Sequence, residues 1–477
     1  MAQYTAPGVK FVEQIGADLS STSTGFNTTA VIGVGQTWYR VNDIELTRTS
    51  AEESGESGEE SGIVPSSTNA ILLPDGKPAE AGDILSVIGI GDIAGYYNYQ
   101  LNVDYTLDVD NTTITWLEGK GPKADSTFYI SYKRNKTSED YVAMRLFDKD
   151  SIRLAFGPEL DNNVINTLTL GADLVLEGSG QSAGGVVCVQ VKGDVTNVAN
   201  WKAAIDKLDN WDVQTVILLK QDSLELRNYL IQKVNELSTS LFGKERTCFI
   251  TPLSSEATPD TLAAQRDAIN NDRVTYFGNK LGLTITLTDE TTLEEQQVAL
   301  DAIFGCAALS GIEGNPEYTF SEPMLRKELP ARITMTTSQF TNPLERNNLC
   351  SNYLSMFDYN ENSGLVNVFD IFTTDSTNVV TETRSVRRVT DLLRKNIRVQ
   401  LDKLYIGQKA LDTTAESAVA TTASILSNFV DMGEIAEYRN TTGAYNSVNP
   451  KQLDIAFEYR PIFEVKWIKV TMSTYVA

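Results

Sequence analysis

Histidine is missing from all 477 residues of this chain. Without it there is no Ser-His-Asp or Cys-His relay and no mixed Cys and His zinc site. Lysine and carboxylate chemistry is what remains open. The four cysteines, Cys188, Cys248, Cys306 and Cys350, form no CxxC pair, and such wide spacing reads as reduced, mostly buried thiols rather than as disulfides or metal ligands. The segment Val31 to Trp38, VIGVGQTW, places a GxG after a strand, but Trp38 stands where a dinucleotide fingerprint needs its third glycine. Asp108 to Thr113, DVDNTT, opens like a calcium loop, yet Thr113 and Gly119 occupy the positions that require glycine and a ligand. A tight β turn accounts for it. No catalytic, cofactor-binding or metal-ligating residue is therefore assigned, and no cofactor is expected.

What the residue types do offer is contact chemistry. From Arg384 to Leu404 an apolar stripe runs through Val386, Val389, Leu393, Ile397, Leu401 and Leu404, and another face carries Arg384, Arg387, Arg388, Arg394, Lys395 and Arg398. Lys and Arg total 40 against 63 Asp and Glu, a formal charge of −23, so a basic stripe here is either matched to local carboxylates or kept for a partner. The acidic balance argues against a general affinity for nucleic acid or anionic membrane.

Both ends are strand-like. Near the start, YTAPGVKFVEQI spans Tyr4 to Ile15, with Val9, Phe11 and Val12 after Pro7 and Gly8; at the far end Leu453, Ile455, Phe457 and Tyr459 alternate up to Pro461. The alternation resumes at Phe463, Val465 and Trp467, then changes phase at Ile468, the mark of a bulge. Two readings stand. Either these ends close a sheet within one subunit, or they are donated to neighbouring copies, where backbone hydrogen bonds supply affinity. Donation in one direction builds rings or helical polymers.

The elements that must position these residues follow from length and pattern. A chain of this length holds roughly three domains, and 41% apolar content supplies real cores. The first thirty residues lack the apolar core of a secretion signal, and runs such as Val216 to Leu219 are far too short to span a bilayer, so the chain is expected to be made and kept in a cytosol. Thr29 to Val34 is a short apolar strand, and Thr49 to Gly76 holds no Lys or Arg, a flexible acidic loop. Short strands and turns fill Ile84 to Lys133, with Val103, Tyr105, Leu107 and Val109 alternating, then Ile114 and Trp116, then Phe128, Ile130 and Tyr132. Strands and helices alternate from Val186 to Asn279, which predicts a mainly parallel sheet covered by helices. A helix is expected from Glu294 through Gly314, then a strand, turn and strand between Tyr353 and Ile371, and after the basic helix a second long helix ending near Gly433.

The opening YTAPGVKFVEQI, the stretch FTNPLERNNLCSNYLSMFDYNENSGLVNVFDIFTTD from Phe340 to Asp375, the Asp104 to Tyr132 order DYTL, ITW, FYISY, and the closing strand with Pro461 inside it resemble contractile bacteriophage tail sheath proteins. The resemblance implies an α/β plus α+β multidomain fold. Its parts would be an N-terminal exchange arm at 1–22, the start of the core domain at 23–45, and an inserted outer β-rich domain at 46–150 with the acidic loop at 49–76. A central, mainly parallel α/β sandwich would follow at 151–335, a C-terminal inner, tube-facing α+β domain at 336–450, and a C-terminal exchange strand at 451–477. It implies strand exchange between subunits through Val9, Phe11, Val12, Phe463, Val465, Trp467 and Ile468, and a tube-facing helix bearing Arg384, Arg387, Arg388, Arg394, Lys395 and Arg398. The partners implied are further copies of the chain in stacked rings, a tail tube protein, and baseplate and tail terminator proteins, with no direct nucleic acid or membrane contact. The place implied is a virion tail assembled in the host cytoplasm, and the role is structural, without a chemical step. A static baseplate or tube-associated protein is the first alternative, and an α/β enzyme the second.

Overall fold

The computed structural model describes residues 28–47, 71–72, 84–90, 96–107, 113–117, 120–122, 126–180, 185–220, 222–253, 258–279, 282–335, 343–466 and 468–469. The chain divides into two compact units. One comprises Met1–Val34, Val142–Lys149 and Glu159–Ala477; the other comprises Gly35–Tyr141 and Asp150–Pro158. The acidic loop apart from Ile71 and Leu72, the DVDNTT turn apart from Thr113, and Val9, Phe11 and Val12 fall outside the described residues.

The larger unit is built on a six-stranded sheet, in the order Val274–Tyr276, Thr247–Ile250, Thr215–Leu218, Thr29–Gly33, Val186–Gln190, Met144–Leu146. All neighbours are parallel except the last pair. Strands covered on both faces read as unbroken apolar runs, and TAVIG, VVCVQ, TVIL and TCFI are buried at every position. Thr29–Gly33 lies in the middle, in register with Val186 on one side and Thr215 on the other.

Helices Val198–Asp206, Leu224–Leu237 and Pro259–Ile269 cross over between the parallel strands. Their Trp201, Leu226, Leu230 and Leu262 share a core with Ala30, Ile32, Val187 and Val189. Successive strand residues point to opposite faces. Val31 accordingly meets the other layer, where helix Thr167–Gly178 approaches so closely that a Cβ on Gly171 would sit 3.2 Å from it. Helix Ala302–Gly314 packs on Thr167–Gly178 almost backbone to backbone. A Cβ on Gly311 would lie 2.0 Å from the Val175 carbonyl oxygen, and one on Gly178 would lie 2.1 Å from that of Ala308.

The helices of this unit depart from the sequence reading at two places packed on the sheet. The helix expected from Glu294 starts only at Ala302, and Glu295–Leu300 is a strand paired antiparallel to Leu283–Thr288. Asp301 explains the boundary, because its carboxylate accepts from the Ile303 N–H and caps the helix there. Helix Thr167–Gly178 was not anticipated at all. Every residue from Leu168 to Leu176 is buried, so it lacks the one-sided stripe by which a helix is recognised.

Joined to the sheet unit by the bridge of Phe277 with Ser355, the hairpin Met356–Asn360 and Leu365–Asp370 turns at Gly364, which takes φ +74. Helices Arg384–Tyr405 and Asp412–Asp431 then pack with the strands Glu437–Tyr445 and Leu453–Arg460 around Leu393, Ile397, Leu401, Leu426 and Phe429.

In the smaller unit, which also takes in most of the helix Lys149–Phe156, the two sheets are antiparallel. One sheet orders Trp38–Thr47, Thr127–Asn135, Ile84–Ile90 and Tyr96–Asn98; another orders Ile71–Leu72, Thr113–Trp116 and Tyr105–Leu107. Trp116 organises its core, edge-on to Tyr99, Tyr105 and Phe128 at 5.1, 5.6 and 5.3 Å between ring centres. Val103, expected in the Tyr105 strand, is half-exposed in the preceding turn, where Asn102 is left-handed.

Candidate functional site: the C-terminal layer and its arginine helix

In open α/β sheets, ligands bind beyond the carboxyl ends of the strands. Here the described groups at that edge engage one another. Thr251 Oγ1 donates to Asp301, Arg227 donates to the Thr251 carbonyl, and Thr167 Oγ1 bonds both the N–H and the carbonyl of Val34. Among the described residues no cluster of three or more acidic or thiol groups could hold a metal ion. Cys188, Cys248 and Cys306 are buried and unpaired, Cys350 is partly so, and burial pushes the thiols of Cys248 and Cys350 up to about 12.

The basic helix Arg384–Tyr405 forms as its spacing predicts, but half of its stripe turns inward. Arg384 clasps Glu313 through Nε and Nη2 at 2.7 and 2.8 Å, bonds Thr247 and Thr275, and lies 3.9 Å over the ring of Phe249. Arg387 reaches Asp272 at 2.7 Å and Asp391 at 2.6 Å, while Arg273 takes both oxygens of that same Asp391. Arg388 donates to the Glu313 carbonyl at 2.7 Å. These three arginines are 2%, 4% and 6% exposed. An exposed, tube-facing stripe does not hold for them, because a guanidinium buried within its own subunit and matched to a carboxylate cannot also meet a partner's surface. Burial alone would raise the pKa of Glu313 and Asp391, but the facing guanidiniums hold both below the usual carboxylate range. Farther along, Lys395 pairs with Asp212 at 2.6 Å, Arg398 spans both oxygens of Glu245, and Arg394 is half-buried.

The C-terminal segment divides at Pro461. Before it, Leu453–Arg460 pairs antiparallel with Glu437–Tyr445 of the same chain, with a bulge near Asn440. The expectation of an exchange strand over 451–477 is thus narrowed, since 453–460 has a partner at home. Leu453, Ile455, Phe457 and Tyr459 are packed against the helices beneath, and the other face carries the cross-strand pairs Glu437 to Arg460 and Arg439 to Glu458. Two described strands form this sheet, so each keeps one edge without a described strand beside it.

Beyond Pro461 the alternation is inside out. Phe463 and Val465 are exposed by 40% and 74%, and Ile468 by 81%. The charged residues between them face inward. Lys466 lies 2.8 Å from Asp370 and 3.3 Å from Glu464, over the ring of Phe372. Burial raises the pKa of Glu464, and the nearby Lys466 charge only partly offsets it. Trp467 lies outside the described residues. Sequence reasoning found the apolar members of this segment and the helix; it missed Glu313, Arg273 and the Lys466 anchor, whose partners are distant in the chain. Arg387 and Asp391, four residues apart on one helix, were a legible pair.

No family model matches the chain. A tail sheath protein of Mycobacterium phage Bxz1 is 24% identical over 355 residues, which is 72% of this chain and 58% of that relative. The chain thus spans somewhat over half the length of the curated relative it matches. Among solved structures, the helical sheath of the anti-feeding prophage in its contracted state superposes with a TM-score of 0.54 at 13% identity, covering 71% of this chain and 90% of that one. A chain from the baseplate of the same particle gives 0.54 at 12%, covering 72% and 90%. At such identities the likeness is one of fold. The chain resembles tail sheath proteins in its sequence, and its fold is that of these assemblies.

Proposed function

We propose that this chain is a structural subunit of a contractile tail sheath: it polymerises helically around a tail tube and contracts to drive that tube through a target cell envelope. The observation that carries the reading is the segment after Pro461, which turns Phe463, Val465 and Ile468 outward while its charged residues anchor it to the body. A lone chain gains nothing from that arrangement. Transferred into a neighbour, each of the three would contribute about 1.5–3 kcal/mol on full burial. The edges of the Glu437–Tyr445 and Leu453–Arg460 hairpin that no described strand pairs are suited to accept a strand from another copy, and the arm containing Val9, Phe11 and Val12 is the proposed donor, with Trp467 on the opposite tether.

In this reading no bond is made or broken. Work comes from a metastable extended lattice relaxing to one with more buried contact, while the subunit bodies move as rigid units. The partners are copies of this chain, a tail tube protein, and baseplate and tail terminator proteins. The site of action is the virion tail, after assembly in the host cytoplasm. Arg394, Lys395 and Arg398, less deeply buried than the arginines before them, are the remaining candidates for a polar, releasable contact with the tube.

Deleting residues 1–15 tests the exchange directly. The truncated chain is expected to remain a folded monomer and to form no sleeves by negative-stain electron microscopy. Normal sleeves would overturn the exchange. Folded, non-contracting assemblies of the full chain would favour a static baseplate component instead.

A further inference from the structure

Lys466 fixes the segment after Pro461 to the body, and around it the charges do not balance. Three carboxylates face this one ammonium: Asp370 on the hairpin, Glu382 on helix Val379–Glu382, and Glu464 on the segment itself. Cys350 lies within reach of the same charges as a neutral thiol, pushed up to about 12, and Asp358 beyond it is held by Arg346.

The three carboxylates are not equally provided for. Asp370 Oδ1 accepts from Lys466 and from the Ile371 N–H, each at 2.8 Å. Glu382 takes a hydrogen bond from Tyr353. Glu464 has the poorest place. Its side chain is 5% exposed, its Oε1 makes no hydrogen bond, and Lys466, 3.3 Å away and not aligned to donate, is already engaged by Asp370. A buried carboxylate without donors is costly as an anion and much less so as the neutral acid. Phe463, Val465 and Ile468 face away from the body, and the described part of the segment enters no strand ladder, so the inward charges carry the attachment.

We propose that residues 462–469 form a proton-operated strap, docked on the body while Glu464 is neutral and released as it ionises. Docking takes Glu464 out of water, which raises its pKa; Asp370 and Glu382 add to the rise and Lys466 offsets part of it. Burial shifts Glu382 the same way. Docking therefore takes up protons: it is fully favoured below the ordinary glutamate value, about pH 4.3, and weakens as pH rises through the raised one. Release would let the apolar row leave with its backbone for an edge on another copy, a use that rests on the function proposed above. The strap itself is a property of the single chain, and its test needs no assembly.

The full chain is digested with papain from about pH 5.5 to about pH 8. The rate of cutting within 462–469 is divided at each pH by that of a free peptide of the same sequence, which removes the protease's own pH dependence. Cleavage of a segment that opens and closes quickly tracks the population of its open form. The ratio is expected to rise about tenfold or more over this range. Glu464→Gln, uncharged at every pH, should stay slow throughout, and Lys466→Met should be fast throughout; if Lys466→Met does not fold, the native chain and Glu464→Gln decide alone. A ratio constant to within about twofold, or Glu464→Gln cut as fast as the native chain at the upper pH, would overturn the strap, whereas failure to form sleeves bears on the assembly reading alone.

Discussion

At Glu313 a carboxylate with no solvent exposure of its side chain meets Arg384 head-on and Arg388 beside it. Removing one member of a buried charge group strands the others, at a cost of about 3–5 kcal/mol. Glu313→Gln should therefore destabilise the monomer by that amount in urea unfolding, and a loss under about 1 kcal/mol would contradict the role given to it. The same groups set an acid limit. Glu313 and Asp391 have folded-state pKa values below their ordinary ones, so their contribution is complete above about pH 4.3 and fades as pH falls further. Glu464 and Glu434 act in the opposite sense, because burial raises them and their cost grows as pH rises through the raised value. Asp391→Asn should flatten the loss of stability between about pH 5 and 3, measured by chemical denaturation at each pH; an unchanged slope would contradict the pairing. The thiols give a simpler check. Cys188, Cys248 and Cys306 should resist a disulfide reagent at pH 8 in the native chain and react on denaturation, whereas rapid native labelling would show the sheet opening. The spacing of the arginines was legible in the sequence, but their direction was not. Their carboxylate partners lie 71, 115 and 153 residues away for Arg384, Arg387 and Arg398, and no local pattern reports such pairs.

Among the elements, those with a strong period were read correctly from residues alone. The alternating strands and helices from Val186 to Tyr276 sit where apolar runs and caps place them, and Ser223, Thr258 and Asn197 cap their helices as their types suggest. Misreadings arose where tertiary burial overrides period. Glu295–Leu300 contains good helix formers, yet its Gln296, Val298 and Leu300 alternate inward beside Leu283–Thr288. Helix Thr167–Gly178 is buried all round, and its contact with Ala302–Gly314 depends on glycines at Gly178 and Gly311. Gly311→Ala would drive a Cβ into the Val175 carbonyl oxygen. A loss of about 1–3 kcal/mol is expected in thermal or urea unfolding, and an unaffected variant would contradict the close packing of these helices.

For the whole molecule, the resemblance read from the two ends and from Phe340 to Asp375 agrees with the sequence relative and with the folds of the prophage sheath and baseplate chains. Composition and the missing histidines narrowed the chemistry, but they could not show which part of the last strand is satisfied at home. The structure separates the two parts at Pro461: a hairpin within the chain, then an anchored segment whose apolar side chains face solvent. The central claim is that this outward face exists for another copy of the chain. Electron microscopy of the concentrated native protein beside the Phe463→Asp, Val465→Asp double variant, each incubated with its tube, tests that most directly. The account predicts striated sleeves for the native chain and folded, dispersed monomers for the variant. Sleeves of equal length and number from both would contradict it.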